Sequence, residues 1–427
     1  MNNDTLDIYN QSDLLKQSWI QKSATQEVIK CFKKANIPFR FVGGCVRDSL
    51  LKKPIKDIDL CTPAEPSTII KLFRDNNFGV YETGLAHGTV TVVIEHQPYE
   101  ITTLRYDKKT DGRHATVEFT NNWRADAARR DFTFNALSLD TEGKIYDYFQ
   151  GYPDLIKGVV RFIGNPLDRI LEDHLRILRL FRFQAYYGKQ PIPDTVLTLV
   201  KKHAKLVAVL SGERIREEFF KIILTPSTTS ILKHMVDTEV IQQFIPAAII
   251  FEKMQALVSL EQHDSLQEHI TGNPIRRLAI LFDNIDINSI NQLGQRLKLS
   301  NQQKRELKEY LNYPQTIGYD TFSIRQLLYD FGAERLVNFF LLQCASDISR
   351  QRANTVEAIK RIKALYDINS RWVKPVFPIN GNDLIKHGIP HGPEIGVLLN
   401  KIHNWWRKND FNPNYQSCLE YLKEIQQ

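Results

Sequence analysis

The residues richest in chemistry lie between Phe41 and Leu60, in FVGGCVRDSLLKKPIKDIDL. Asp57 and Asp59 stand one residue apart there. On a strand, side chains alternate faces, so both carboxylates point one way while Ile58 turns into the core. Two carboxylates on one face can share divalent metal ions. Upstream, Gly43 and Gly44 lack Cβ atoms and let backbone approach a ligand closely. A helix expected to open at Cys45 presents unpaired N–H groups and a positive dipole end to phosphates. Arg47 adds a fixed positive charge on its first turn. Phosphates and metal would then meet between the glycine turn and the second strand. Alone, GG is an ordinary turn and DxD a solvated strand end; their combination with Arg47 in one short stretch is far more specific.

Three further groups extend this site. Glu100 opens YEITTL, and becomes a third acid if that strand lies beside DIDL. Such a cluster suits nucleotidyl transfer, in which a 3′-hydroxyl must lose its proton and the leaving pyrophosphate gains charge; two metal ions about 3.5–4 Å apart serve both ends. In ADAARRDFTFNAL, a helix would place Asp131 and Asn135 on one face. Their carboxylate and amide suit ribose hydroxyls, and Arg130 suits phosphate. In PLDRILEDHLRILRLFRFQAYYG, read as one helix, Asp173 and Arg176 are three apart, and Arg179 and Arg182 continue the spacing along one drifting face. Asp173 only accepts hydrogen bonds and Arg176 only donates. Cytosine and adenine present an amino group beside an unprotonated ring nitrogen, which matches that pair. Guanine and uracil present a carbonyl beside a ring N–H, leaving polar groups unpaired at ~1–3 kcal/mol each. An ion pair on an exposed helix is the plainer alternative.

The elements that must position these residues read as a mixed α+β head followed by helices. Strands are expected at FRFVGG, DIDL, GTVTVVI and YEITTL, with helices at Ala24–Asn36 and from Ser67. KIYDYFQGYPDLIKGVVRFIG reads as strand, turn at Gly151–Pro153, and strand. From Pro226 onward the pattern is helix after helix. Residues 1–20 read as a loosely held lead-in. His263–Asp264 has no supporting His and Asp at phosphohydrolase spacing. Arg296, Lys298, Lys304, Arg305 and Lys308 form a basic stretch suited to phosphates. Trp405 and Trp406 sit beside Arg407 and Lys408, where one tryptophan packs and the other is free to stack on a base.

With 427 residues the chain should form about three domains. A net charge of +7 and a pI of about 8.9 favour a polyanionic partner. The five cysteines are scattered without zinc spacing, which suits a reducing cytoplasm. The N-terminus lacks a signal-peptide pattern, and no run approaches the ~18–20 apolar residues that span a bilayer. No obligatory protein partner is evident.

Taken in order, GG–Arg47–DID, YEITTLR, RRDFTFNAL and EDHLRILRLFRF resemble the class II tRNA nucleotidyltransferases (CCA-adding enzymes) and bacterial poly(A) polymerases. The resemblance is strong over residues ~27–225 and weak beyond. It implies template-independent addition of C and A, from CTP and ATP, to the 3′ end of tRNA, with Mg²⁺ as cofactor. Asp57 and Asp59 would hold metal, with Glu100 assisting. Gly43, Gly44, Arg47, Arg130, Asp131 and Asn135 would bind the nucleotide. Asp173 and Arg176, in the position of the family's EDxxR motif, would read the base, supported by Arg179 and Arg182. SGERIREEFF resembles the motif that braces this template helix. The basic loop DGRHA, with Arg113 as its active contact, resembles the flexible loop that goes with adding A after C. GLAHGTVTVVI favours the tRNA enzymes over the polymerase branch. The implied order is a lead-in over 1–26, a nucleotidyltransferase head over 27–150, a neck over 151–225, a helical body over 226–345 and a tRNA-binding tail over 346–427. The competing readings are a poly(A) polymerase on the same scaffold and a catalytically silent RNA-binding protein.

Overall fold

A computed structural model describes residues 7–110, 115–283, 285–314 and 317–426. The chain divides into two compact units, Met1–Pro246 with Arg296–Lys298, and Ala247–Gln295 with Leu299–Gln427.

The first unit is built on an eight-stranded sheet. Its strands are β1 (Asp7–Asn10), β2 (Arg40–Val42), β3 (Asp59–Thr62), β4 (Gly79–Gly84), β5 (Thr89–Ile94), β6 (Gln97–Thr103), β9 (Ser138–Leu139) and β10 (Lys144–Asp147). They lie in the order β1-β10-β9-β2-β3-β6-β5-β4, while β7 (Arg105–Thr110) and β8 (Ala115–Phe119) form a separate two-stranded ribbon. β3 and β6 run parallel and the other described pairings are antiparallel. β-Branched residues alternate along TVTVVI, burying Val90, Val92 and Ile94. Glu95 and His96 turn this strand into β6 with φ of +49° and +64°, the left-handed pair that a tight two-residue hairpin requires.

Three expectations change here. The lead-in is not loose: β1 pairs with β10, and Trp19 and Ile20 are buried. The Trp19 indole donates to Ser49 Oγ at 2.9 Å, tying the segment to the end of the glycine-turn helix. Gly151–Pro153 is not a turn between strands but the start of a helix, Gly151–Lys157. The Asp147 carboxylate accepts from the N–H groups of Phe149, Gly151 and Tyr152 at 3.1, 2.9 and 2.9 Å and so caps that helix. A Cβ on Gly151 would fall 2.2 Å from the Thr133 carbonyl. The helix expected across Pro166–Gly188 breaks in two, Pro166–Glu172 and Arg176–Tyr187. Asp173 at the break is extended (φ −147°, ψ 108°), and its Oδ1 takes the Leu175 N–H at 3.1 Å. A short acidic side chain that bonds its own backbone competes with helix continuation.

Phe183 on the second of these helices packs against Phe132 and Phe134 with ring centroids 5.1 and 5.5 Å apart. This aromatic core fixes the helix to the Phe132–Phe134 segment that leads into β9, and its edge-to-face geometry adds to simple area burial. The helix Gly212–Ile223 lies beside it, capped by Ser211.

The second unit is helical. Arg276 and Arg277 are buried against Glu261, with Arg276 Nε at 2.9 Å from Oε1 and Arg277 Nε at 2.6 Å from Oε2. Near the C-terminus, Trp406 is buried and donates to the Pro413 carbonyl, whereas Trp405 stacks on Tyr421 at 4.3 Å. Arg407 is taken by Asp330. Neither tryptophan is left as an open platform. The basic stretch is also partly committed: the Arg296 guanidinium caps the carbonyls of Val207, Ala208 and Leu210. Among the described residues no helix is long and apolar enough to cross a membrane.

Candidate active site

The glycine turn forms as its residue types require. Gly43 has φ +70°, a left-handed conformation that favours glycine. The helix opens at Gly44, one residue earlier than expected, and runs to Leu50. A Cβ on Gly43 would sit 3.3 Å from Arg130 Nη1 and 3.9 Å from Asp59 Oδ2. The turn, Arg130 and the acidic strand therefore meet at one point.

β3 begins at Asp59, so Asp57 lies two residues ahead of the strand rather than on it. The alternation still holds: Ile58 is buried, Asp57 is exposed, and both aspartates line one cleft of about 470 Å³. The parallel pairing of β3 with β6 puts Glu100 in register with Asp59. Burial pushes the Asp59 carboxyl up to about 6, and the neighbouring charge of Glu100 adds to the rise. Arg130 opposes it and Asp57 adds to it.

These hard carboxylate oxygens suit Mg²⁺. Among the described residues no three acidic, histidine or cysteine side chains make a ready cage. Mg²⁺ is commonly held by one or two carboxylates completed by substrate phosphates and water, so a pair of aspartates is chemically compatible with such a site.

The second motif is not a continuous helix. Trp123–Ala128 is helical, Arg129–Phe132 is not, and Thr133–Asn135 is a 3₁₀ turn. Asp131 and Asn135 still meet, with Asn135 Nδ2 donating to Asp131 Oδ1 at 2.9 Å. Asp131 also accepts from Phe132 N–H at 2.8 Å and from Arg179 Nε at 2.5 Å. Burial raises this carboxyl, but Arg179 and these donors outweigh it and hold it at about 2. Its acceptor capacity is spent inside the protein, on Phe132, Asn135 and Arg179. Arg130 donates to Asp126 at 3.2 Å and to the Cys61 sulfur at 3.3 Å. Arg47 donates to Asn135 Oδ1 at 2.6 Å and grips both oxygens of Asp48.

The broken helix changes the base-reading pair. Asp173 and Arg176 do not share one helix face. Arg214 Nη2 donates to both Asp173 oxygens at 3.0 Å. Arg176 is buried, donating to Glu172 at 2.6 Å and to the carbonyls of Arg169 and Arg129 at 3.1 and 2.9 Å. Arg179 goes to Asp131 and Arg182 to Glu218. The three arginines keep the expected spacing along one drifting face of the unbroken Arg176–Tyr187 helix, and each is held by a different acid. Arg113 lies outside the described residues.

Residues 39–161 match the model of the poly A polymerase head domain, and residues 191–249 that of the probable RNA and SrmB-binding site of polymerase A. The chain is 32% identical over 406 residues to the human mitochondrial CCA tRNA nucleotidyltransferase 1, covering 93% of this chain and 89% of the human one. It is likewise 32% identical over 413 residues to the CCA-adding enzyme of Lactobacillus johnsonii, covering 94% and 96%. This chain belongs to the CCA-adding tRNA nucleotidyltransferase family. Its fold matches the Bacillus stearothermophilus CCA-adding enzyme in complex with CTP, with a TM-score of 0.74 and 24% identity over 96% of this chain and 98% of that one. The Thermotoga maritima CCA-adding enzyme complexed with tRNA gives 0.66 and 20% over 98% and 99%.

Residue patterns alone did not reveal Asp48, Asp126 or Arg214. Asp126 is four residues before Arg130, a spacing that signals an ion pair on a helix. Asp48 adjoins Arg47 in sequence. Spacing does not announce the partner of Arg214 41 residues away; only the resemblance of SGERIREEFF to a motif that braces the helix at Asp173 pointed there.

The raised Asp59 pKa gives a test that needs no substrate. A carboxyl whose folded pKa of about 6 exceeds its ordinary 3.8 stabilises the fold fully below pH 3.8, and that contribution is lost as pH rises through 6. At pH 7 the ionised Asp59 therefore bears the cost of burial and, to a lesser extent, of its acidic neighbours, which a bound cation would offset. Saturating Mg²⁺ should raise Tm by about 2–5 °C at pH 7 and by much less at pH 5, where protons occupy the site. Asp59→Asn should remove the Mg²⁺ effect. An equal shift at both pH values in calorimetry would place the cation elsewhere.

Proposed function

We propose that this chain adds C and A, from CTP and ATP, to the 3′ end of tRNA by nucleotidyl transfer assisted by two divalent metal ions. The observation that carries this is the parallel β3–β6 register, which sets Asp59 beside Glu100 and directly across from the glycine turn and Arg130. In this reading Asp57 and Asp59 hold Mg²⁺ and Glu100 supports the charge of the cluster. Bound metal ions would activate the 3′-hydroxyl and offset charge on the leaving pyrophosphate. The Gly43–Gly44 backbone and the free donors of Arg47 and Arg130 hold the phosphates. Asn135, fixed by Asp131, orients the ribose. Asp173 and Arg176 read the base, Arg179 and Arg182 hold their helix, and Arg113 contacts the nucleotide from its loop. We assign 1–26 to a lead-in, 27–150 to the head, 151–225 to the neck, 226–345 to an RNA-binding helical body and 346–427 to a tRNA-binding tail. Five buried, unpaired cysteines fit a cytoplasmic setting.

The deciding experiment supplies tRNA lacking CCA, and tRNA ending in CC, with each nucleotide singly. CMP should enter the first and AMP only the second, both dependent on Mg²⁺. Long A tails on any RNA end would instead favour a poly(A) polymerase, and no incorporation would leave an RNA-binding protein.

A further inference from the structure

The last residue of the Arg176–Tyr187 helix reaches into the cleft from the end remote from Asp173. Tyr187 Oη donates to Asp48 Oδ1 at 2.7 Å. The same carboxylate takes Arg47 Nε at 3.0 Å and Arg47 Nη2 at 2.8 Å. The Tyr187 ring lies 4.5 Å from the Arg47 guanidinium carbon and 4.3 Å from Lys53 Nζ. Lys53 Nζ also donates to the Tyr186 carbonyl at 3.0 Å. Arg47, Asp48, Lys53 and Tyr187 all line the cleft that holds Asp57 and Asp59.

The donor count shows what this arrangement achieves. Arg47 has five N–H donors. Asp48 takes two and Asn135 takes one, leaving one on each terminal nitrogen for a ligand. Nη2 lies 3.7 Å from the point where a Cβ on Gly44 would stand, so the guanidinium sits against the glycine turn. Untethered, a lysine or arginine in this cleft would pair with Asp57 or Asp59 and occupy the carboxylates that a metal needs. The Tyr187 ring attracts both cations to the wall of the cleft, adding to the hold that Asp48 has on Arg47.

We propose that Tyr187 is a positioning residue for the incoming nucleotide's triphosphate. Its hydroxyl orients Arg47 through Asp48, and its ring holds Arg47 and Lys53 on the wall of the cleft. It thereby ties the helix that begins beside Asp173 to the turn that receives phosphates. This rests on the nucleotidyl-transfer reading above.

The test uses the full chain with tRNA lacking CCA and tRNA ending in CC. Tyr187→Phe keeps the ring and removes the hydroxyl; Tyr187→Leu removes both. The phenylalanine variant should raise KM for CTP and for ATP by a common factor of about 3–10, with the smaller effect on kcat. The inhibition constant of inorganic pyrophosphate should rise by a similar factor. Tyr187→Leu should exceed both changes, as two cations lose their support. The preference for CTP over UTP should not move, and adding Tyr187→Phe to Asp48→Asn should cost little more than Asp48→Asn alone. Unchanged KM and pyrophosphate inhibition in Tyr187→Phe, with only a lower Tm, would overturn the positioning role. A wild-type chain unable to extend either tRNA would overturn the nucleotidyl-transfer reading itself.

Discussion

Replacing Asp59 with alanine should cut incorporation of both CMP and AMP by about 10³-fold or more, while tRNA affinity stays within about threefold. A single preorganised donor at a developing charge is worth ~10²–10³ in kcat, and in the proposed mechanism Asp59 helps hold the two metal ions that serve the two ends of the transfer. A factor of 10³ corresponds to about 4 kcal/mol of transition-state stabilisation. Unfolding would not account for the loss. Burial and Glu100 already raise this carboxyl to about 6, so removing its charge at pH 7 relieves strain rather than creating it. Tm at pH 7 without metal should therefore hold or rise. Single-turnover incorporation, filter binding and calorimetry on one preparation separate the three quantities. Activity within tenfold of the wild type would end the assignment of metal to this carboxylate.

Replacing Asp173 with alanine should make the enzyme accept U and G. In the proposed base-reading role, the carboxylate accepts from a base amino group and would repel a base carbonyl at the same point. In the fold it is flanked by Arg214, whose Nη2 donates to both its oxygens and whose buried Nη1 has no hydrogen-bond partner. Without Asp173 the site becomes donor-only, and a carbonyl at that position gains partners instead of facing a like group. Discrimination against U and G should fall by ~1–3 kcal/mol, on the order of ten- to a hundredfold in relative kcat/KM. Total rate should fall as well, because cytosine and adenine lose one contact. Arg176→Ala is the less informative variant, since Arg176 also joins Glu172 to the carbonyls of Arg169 and Arg129. Its loss would disturb the break that presents Asp173. Incorporation of all four nucleotides by Asp173→Ala, measured singly on tRNA lacking CCA, decides the matter. Equal slowing of the four with the original ratios kept would make Asp173 an ion-pair partner of Arg214 and nothing more.

Much of this site is legible in residue order because its geometry is local. Asp57, Ile58 and Asp59 alternate whether or not the strand is formally extended through all three. Gly43 needs φ +70°, and a glycine stands there. The RRDFTFNAL motif brings Asp131 to Asn135 across four residues even though the backbone between them is not the helix that spacing suggests. The register of Glu100 against Asp59 depends on a parallel pairing across about forty residues, yet the run of β-branched residues around it made a neighbouring strand the natural expectation.

Contacts over longer separations were decided by packing alone. A helix through Asp173 fits the apolar spacing, and it fails because that carboxylate bonds the Leu175 N–H, a local competitor of the helix, and takes Arg214 from a different helix. The spacing of Arg176, Arg179 and Arg182 promised one face. The unbroken Arg176–Tyr187 helix keeps that face, but its partners come partly from afar: Glu172 stands four residues before Arg176, whereas the fold brings in Asp131 and Glu218, and a buried guanidinium without a partner is costly. Tyr187 reaches Asp48 across 139 residues. Residue types and short spacings determine which chemistry this chain can attempt, since alternation and turn geometry act within a few residues. Which charges are left free to meet a nucleotide is settled only when distant elements compete for the same donors and acceptors.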